Sequence, residues 1–306
     1  MRRKPPLKRG LGGIHGVCKG IEYPQMLSEF SVMVARPPHP LDGCWAKIER
    51  VKEQIRHLNG EIAALTNSGV YSIAGENQPE RHRYAFKLLG PATPPRIAVI
   101  AGEIVHHLRS CFDYVVWALA RKNGLPDSER ANFPVCQTRE KFRNAVRDGI
   151  IKGVSISEHP LIEALQPYRS PDPPNSILQI VHDLDITDKH RLLVVVTHAL
   201  VMGNTLIITK NDCPDPEFGI ELPPAVVGRQ GQFIGVQYPW AIEDGIEVHW
   251  IPLRGPPNPE FEMTANSTIQ IAFEQVGTLR RQPVVQVLMQ LCNGVEAAIQ
   301  TFEGCF

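Results

Sequence analysis

Ionisable side chains are densest between positions 182 and 191, inside an otherwise apolar region of the chain. The segment reads His182-Asp183-Leu184-Asp185-Ile186-Thr187-Asp188-Lys189-His190-Arg191. Two histidines and three acids over ten residues can position a general base or bind a metal ion. A structural interpretation also fits, because acids at a helix start favour its dipole and nearby Lys189 and Arg191 can pair with them. That interpretation leaves His190 beside Arg191 unexplained, so the segment is the first candidate site.

A second ionisable group follows one side of a helix predicted over 97–122. At 100° per residue, eight positions fall opposite its apolar stripe: Glu103, His106, His107, Arg109, Ser110, Asp113, Tyr114 and Trp117. Glu103 and His106 form the Glu-x-x-His half-motif that di-iron bundles use twice. The chain has no second copy. One hypothesis is therefore a metal-dependent hydrolase or metal binder that uses Glu103, His106, His182 and His190.

Net charge, cysteine content and the length of apolar runs make several classes of protein function less favoured for this chain. The 306 residues have a formal net charge of zero, so the molecule as a whole is not an electrostatic nucleic-acid binder. Seven scattered cysteines without a Cys-x-x-Cys pair favour reduced thiols and a cytoplasmic location. The longest apolar run, 192–202, is too short to cross a membrane, so no membrane partner is expected.

Cofactor and nucleophile motifs are not found in the sequence. It contains no phosphate-binding Gly-x-x-x-x-Gly-Lys loop, no Gly-x-Gly-x-x-Gly and no Gly-x-Ser-x-Gly elbow, so no cofactor is predicted. Cys111 and Cys136 are nucleophiles in principle. Cys111 falls on the apolar side of the 97–122 helix, however, and is predicted to be a core residue.

Apolar residues at steps of three and four predict the elements that must position these side chains. Long helices are expected over 41–66, 97–122, 176–201 and 283–303, with Asp185 or Thr187 capping the second part of the third. Shorter helices are expected over 139–146 and 159–166, and a strand over 81–88. Alternating patterns predict later strands over 205–209, 232–238, 245–251 and 268–276. The fold class is α+β, a bundle of long amphipathic helices with an antiparallel β-sheet inserted before the C-terminal helix.

Composition shifts divide the chain into four predicted segments. Residues 1–36 form a basic N-terminal arm, either a disordered extension or an arm that contacts nucleic acid, since positions 1–20 carry six basic residues and no acid. Residues 37–202 form the helical bundle with one early strand, and 203–278 form the β insertion. Residues 279–306 supply a last helix that packs back on the bundle.

Several segments resemble a recurring pattern in uncharacterised bacterial helical proteins. They are Leu108-Arg109-Ser110 with Asp113, Phe133-Pro134, Leu165-Gln166-Pro167-Tyr168 and Asp188-Lys189-His190-Arg191. The pattern covers about residues 41–202. Its spacing of arginine and histidine is similar to that of HEPN-type helical ribonucleases, in which an arginine and a histidine on one helix cleave RNA at a dimer interface without metal.

This resemblance implies a metal-independent RNA-cleaving or RNA-binding homodimer formed through the long helices. Arg109 and Arg191 would stabilise phosphate charge, and His190, His106 or His198 would act as base. Arg191 and His198 lie seven apart on the predicted helix, which the HEPN spacing permits. The chain departs from the pattern by having His107 in place of an asparagine and Tyr114 in place of a second histidine. A third hypothesis is a non-catalytic interaction module that uses the β insertion as its contact surface.

Overall fold

The computed structural model describes residues 38–81, 83–126, 129, 131–190, 195–200, 246–252, 268–273, 279 and 282–306. All of them except Pro38 belong to one unit, His39–Phe306. The predicted basic arm at 1–36 and the predicted strands over 205–209 and 232–238 lie outside the described residues. No helix in the described part of the chain is long and apolar enough to span a bilayer.

The two longest helices of the described residues are α1 and α2. Helix α1 spans Asp42–Asn67 and ends where Gly69 takes a positive φ of 77°. Helix α2 spans Pro95–Lys122 and begins with proline at its first position, which suits the fixed proline φ. Their buried residues recur at steps of three and four, so each helix presents one continuous apolar stripe to the core.

Four further α-helices lie within the described residues. Helix α3 spans Arg139–Arg147 and is capped by the Thr138 side chain, which accepts from the Lys141 amide at 3.2 Å. Helix α4 spans His159–Ala164, helix α5 spans Ile177–His190, and helix α6 spans Val284–Gln300. Helix α2 contacts α1, α5 and α6, and α6 also contacts α1 and α5. The C-terminal helix therefore packs back on the bundle, and α2 is its central member.

The strands in the described part of the chain form two small antiparallel sheets. Strands β1 (Ser72–Gln78), β2 (Arg83–Leu89) and β4 (Ile246–Pro252) are arranged in the order β1-β2-β4. The β1–β2 register runs from Ser72 opposite Leu89 to Gln78 opposite Arg83. Strands β3 (Val195–Leu200) and β5 (Thr268–Phe273) pair from Val195 opposite Phe273 to Leu200 opposite Thr268. Ile271 and Phe273 of β5 are buried in the same core as the helices.

The core between α1 and α2 includes two free cysteines, Cys44 and Cys111. Each thiol contacts the other residue's carbonyl oxygen, at 3.5 Å from Cys44 and 3.8 Å from Cys111. The hydrogen bond from Cys44 and burial raise the pKa of the Cys111 thiol, and burial raises the pKa of Cys136. The prediction that Cys111 is a core residue is confirmed, and raised pKa values make both thiols poor nucleophiles.

The predicted fold class is confirmed, since helices dominate and antiparallel strands precede the C-terminal helix. The predicted helix over 186–201 is wrong in its second half, because 195–200 is strand β3. The β-branched run at 194–197 explains the difference, since branched side chains pack well on a pleated sheet. Strand β1 was not predicted. Its small and polar residues carry little pattern of their own, and pairing with β2 holds it in place.

The prediction that Asp185 or Thr187 caps the start of a helix is also wrong. The helix is continuous from Ile177 to His190, so Asp185 lies in its interior and not at a helix start. Asp185 is buried, with 3% of its surface exposed. The dipole explanation for this aspartate therefore fails, and the carboxylate must be stabilised by side chains around it.

Candidate functional site

Two of the predicted site residues, Glu103 and His106, lie on one largely exposed strip of α2, between α1 and α5. We call this strip the α2 face and define it by six residues: Glu103, His106, His107, Ser110, Tyr114 and Trp117. They recur at the spacing of one helix side, opposite the buried stripe of the same helix. Helix α1 borders the strip with Lys47 and Gln54, and α5 borders it with Asp185 and Lys189.

His106 pairs with a buried carboxylate from another helix. Its Nδ1 lies 3.2 Å from Asp185 Oδ1, and Lys189 Nζ donates to Asp185 Oδ2 at 2.5 Å. The Asp185 side chain is 4% exposed, whereas that of His106 is 57% exposed. The tautomer that donates from Nδ1 to this carboxylate has its lone pair on the second ring nitrogen, Nε2. A histidine oriented by a buried aspartate is the arrangement that enzymes use for general-base catalysis.

His107 lies beside His106 in a different environment. The ring centroids are 6.3 Å apart, and Lys47 Nζ lies 3.3 Å from His107 Nδ1. Burial, the Lys47 charge and the neighbouring His106 lower the pKa of His107. His107 is therefore neutral near pH 7, and a neutral ring that accepts from Lys47 at Nδ1 carries its proton on Nε2. Its Nε2–H is a hydrogen-bond donor next to the His106 ring.

Glu103 occupies the N-terminal end of the α2 face. It accepts a hydrogen bond from Gln54 Nε2 of α1 at 3.0 Å. Gln54 is itself buried, and its Oε1 has no hydrogen-bond partner. This contact joins Glu103 to α1, on the side of the strip away from Asp185. Glu103 and His106 therefore have different partners, although they are three residues apart.

His182 of α5 lies in the electrostatic range of Arg109. Burial is the main reason that the pKa of His182 is lowered, and the Arg109 charge lowers it further. The ring is half-buried and neutral near pH 7. It belongs to the boundary between α2 and α5, which we call the α2–α5 seam and define by His106, Arg109, His182, Asp185 and Lys189.

Arg109 holds a loop segment against α2. Its Nη1 donates to Asp113 Oδ1 at 3.0 Å and its Nη2 donates to the Phe133 carbonyl at 2.9 Å. The Phe133 amide donates back to Asp113 Oδ1 at 2.9 Å, which closes the network. The Arg109 side chain is only 12% exposed. Its guanidinium is thus directed at protein groups and not at solvent.

The same loop is held from its other side by Gln166. This buried residue accepts from the Cys136 amide at 2.9 Å and donates to the Pro134 carbonyl at 3.0 Å. Three of the segments that resemble other helical proteins, around 108–113, 133–134 and 165–168, therefore meet at one place. In this chain they serve to fasten residues 131–136 to the bundle.

A close approach of α5 to α2 occurs at Gly102. A Cβ atom added to this glycine would lie 2.5 Å from the Asp188 carboxyl carbon, so no side chain fits there without movement. Gly102 is one helical turn before His106, and Asp188 is nearly one turn after Asp185. The Asp188 carboxylate thus occupies the space beside Gly102, and a larger residue at 102 would have to displace it.

The remaining predicted site residues do not join this group. His190 is exposed at the last position of α5. Arg191 lies outside the described residues, and His198 is in β3 opposite Gln270, so these two do not share a helix face. Within the described ranges, no group of three or more His, Cys, Asp or Glu residues is placed to hold a metal ion. Glu103, His106, His182 and His190 are therefore not brought together as a ligand set.

Two members of the site, Lys47 and Asp185, were not assigned a catalytic role from the sequence. Lys47 lies on the polar side of α1, and no local pattern distinguishes it from other surface lysines. Asp185 carried a usable signal, because it follows Leu178, Val181 and Leu184 on the buried side of α5. An acid on an apolar stripe indicates a buried partner, since an unpaired buried charge is strongly unfavourable.

The arrangement provides a proton acceptor at His106, a neutral donor at His107 and two ammonium groups at Lys47 and Lys189. Together these groups are suited to acid–base chemistry on an anionic substrate. Comparisons of this chain with protein-family models, curated proteins and solved structures find no match.

Proposed function

We propose that the α2 face is the active site of a metal-independent ribonuclease in which His106 is the general base. The observation that carries the proposal is the contact between His106 and Asp185, an exposed imidazole held by a buried carboxylate of another helix. A carboxylate in this position fixes the ring orientation and stabilises the imidazolium that forms when His106 takes a proton. Surface histidines without such a partner rotate freely and have no fixed lone pair.

The cleavage uses the ribose 2′-hydroxyl as nucleophile. His106 Nε2 takes the proton of this hydroxyl, and the 2′-oxygen forms a bond to the adjacent phosphorus. The bond from phosphorus to the 5′-oxygen breaks, and the departing oxygen takes a proton from the Lys189 ammonium. The products are a 2′,3′-cyclic phosphate and a 5′-hydroxyl. Asp185 holds both participants, with Oδ1 facing the base and Oδ2 facing the acid.

Phosphate binding falls to His107 and Lys47. The Nε2–H of the neutral His107 donates to a phosphoryl oxygen, and Lys47, 3.3 Å from the other ring nitrogen, supplies positive charge. Arg109 is not assigned this role, because its guanidinium already donates to Asp113 and Phe133. In this proposal Arg109 is a structural residue that keeps the seam in place.

The test is cleavage of single-stranded RNA in the presence of a chelator, with identification of the new ends. We expect 2′,3′-cyclic phosphate products, no cleavage of DNA of the same sequence, and a loss of about 100-fold or more in rate for His106→Ala. The chelator also tests the metal-dependent hydrolase, because that hypothesis requires activity to disappear when metal is removed.

His57→Ala is the matched control. His57 is also 57% exposed and also contacts a carboxylate, that of Glu61, but it lies near the start of α2, where Arg96 contacts the same carboxylate. Its removal should leave the cleavage rate within about twofold, as for a surface substitution away from the site. A wild-type protein that leaves RNA intact, or cleavage that survives His106→Ala, would refute the proposal. Loss of activity in His190→Ala but not in His106→Ala would move the base to the end of α5.

A further inference from the structure

Two exposed aromatic side chains on the α2 face have no part in the reaction just described. Tyr114 and Trp117 lie one turn apart, with 45% and 46% of their surfaces exposed. Each ring has a cation over it: Lys47 Nζ is 5.1 Å from the Tyr114 centroid, and the Arg121 guanidinium carbon is 5.7 Å from that of Trp117. Flat rings combined with cations are suited to a ligand that has both planar groups and negative charge.

Lys47 connects these rings to the site on the same face. Its Nζ contacts His107 Nδ1 at 3.3 Å and also lies over the Tyr114 ring. At 1.5 Å per residue, Tyr114 lies about 10 Å and Trp117 about 15 Å beyond His107 along the helix axis. A phosphate held by Lys47 at His107 would thus have an aromatic ring beside it and a second ring one turn further on.

The charges on the strip give this path a direction. Glu103 is at its N-terminal end, and Arg121 is at its C-terminal end. Phosphates are repelled by the first and attracted by the second. An anionic chain that enters the site at His106 and His107 should therefore extend towards Trp117.

We propose that Tyr114 and Trp117 form a stacking platform for two successive bases of single-stranded RNA, which rests on the proposed function because the same strand enters the His106 site. Bases in a duplex are stacked on one another, so only an unpaired strand can place them on protein rings. Stacking accepts every base, so the platform selects single strands without selecting a sequence. The cations over both rings favour an anionic strand over a protein as the occupant of this face.

The test is binding of a fluorescein-labelled 2′-O-methyl oligoribonucleotide of about ten nucleotides, measured by anisotropy. The methyl group blocks the nucleophile, so binding is measured without cleavage, and the length suits known single-strand sites. Trp117→Ala and Tyr114→Ala should each weaken binding by about 5- to 150-fold, the range expected for losing one base–ring stack. Trp117→Phe should recover most of the affinity. Met289→Ala, at an equally exposed apolar position of α6, is the control and should bind as wild type.

The outcomes separate this inference from the proposed function. Binding that is lost in Trp117→Ala, with no cleavage of natural RNA, supports the platform and refutes the ribonuclease. Cleavage that needs His106, with binding unchanged in both aromatic variants, refutes the platform alone. Unchanged RNA binding together with a change of oligomeric state in Trp117→Ala, seen by sedimentation velocity, would instead make the face an interface between two copies and also overturn the inference.

Discussion

Two histidine–carboxylate pairs on this bundle differ in ways that a distance alone does not reveal. At the boundary of α1 with the start of α2, His57 Nε2 lies 2.8 Å from Glu61 Oε1, four residues along the same helix. At the α2–α5 seam, His106 Nδ1 lies 3.2 Å from Asp185 Oδ1, 79 residues away in the chain. Both histidine side chains are 57% exposed, but Glu61 is 25% exposed and Asp185 only 4%.

The shorter contact is thus the weaker candidate for chemistry. Glu61 also accepts from Arg96 Nε and can exchange partners with water, so it does not fix the His57 ring. The packing of α5 in the bundle buries Asp185, so the charge of its carboxylate is shielded from solvent. The comparison teaches that two properties of the carboxylate identify a candidate site better than the contact distance does. They are its burial and its location on a different helix from the histidine.

The largest expected effect comes from the packing under the seam. Leu108 of α2 is fully buried, and Leu108→Ala should lower the free energy of unfolding by about 2–5 kcal/mol, the range for a buried leucine. Chemical denaturation measures it. The same change at Leu89, which is 37% exposed, should be much milder. A loss below about 0.5 kcal/mol at Leu108 would show that the seam does not rest on a packed core.

Replacing the buried carboxylate should have the next largest effect, on activity. Asp185→Asn keeps the side-chain shape but removes the charge that orients and stabilises His106, so RNA cleavage should fall by about 100-fold or more. Glu61→Gln is the matched change on α1 and should leave the rate within about twofold. Equal effects of the two substitutions would mean that burial of the carboxylate is irrelevant.

Acid should destabilise the folded protein through His107 and His182. Burial lowers the pKa values of His107 and His182, so the unfolded chain binds more protons than the folded one as pH falls through their ordinary value of 6.5. Stability must therefore decrease on acidification from pH 7.5 to 5.5. Melting temperatures at both pH values measure the loss. His182→Asn should make it smaller, and an unchanged loss in this variant would contradict the role of His182.

The smallest effect is the coupling free energy within each pair. A double-mutant cycle on His57 and Glu61 should give about 0.3–0.5 kcal/mol, as for exposed pairs at this spacing. The cycle on His106 and Asp185 should give about 1 kcal/mol, because the carboxylate is buried while the ring is still partly hydrated. Thermal or chemical unfolding of the single and double variants provides both values. A larger coupling at His57 would reverse the comparison.

The long helices could be predicted from the sequence because each buries one stripe, and the spacing of that stripe is local information. The predicted ends of helices α1, α2 and α6 lie within two residues of the observed ends, with one exception. Helix α6 was predicted to end at 303 and ends at Gln300. Strand β3 could not be separated from helix in the same way. Its apolar run suits either state, and the pairing with β5 that decides between them comes some seventy residues later.

The site was predictable only in part, for the same physical reason. His106 and Asp185 were both recognised as members of ionisable groups, but their contact joins two helices and has no local signature. For Arg109, the residue type suggested a role that its contacts do not favour. Its charge and its position on the polar side of α2 suggested phosphate binding, whereas its hydrogen bonds go to Asp113 and Phe133. Residue type gives the available chemistry, and only the packing tells which residues are already engaged.

Gly102 offers a way to disturb the contact region of α2 and α5 by side-chain size. Because the Asp188 carboxylate lies where a side chain of residue 102 would be, a larger residue there must displace this carboxylate. A graded series of Gly102→Ala, Gly102→Ser and Gly102→Val would displace it by increasing amounts while His106 and Asp185 keep their identities. In the proposed ribonuclease, this series would separate the effect of packing beside the seam from the effect of the ionisable groups in it.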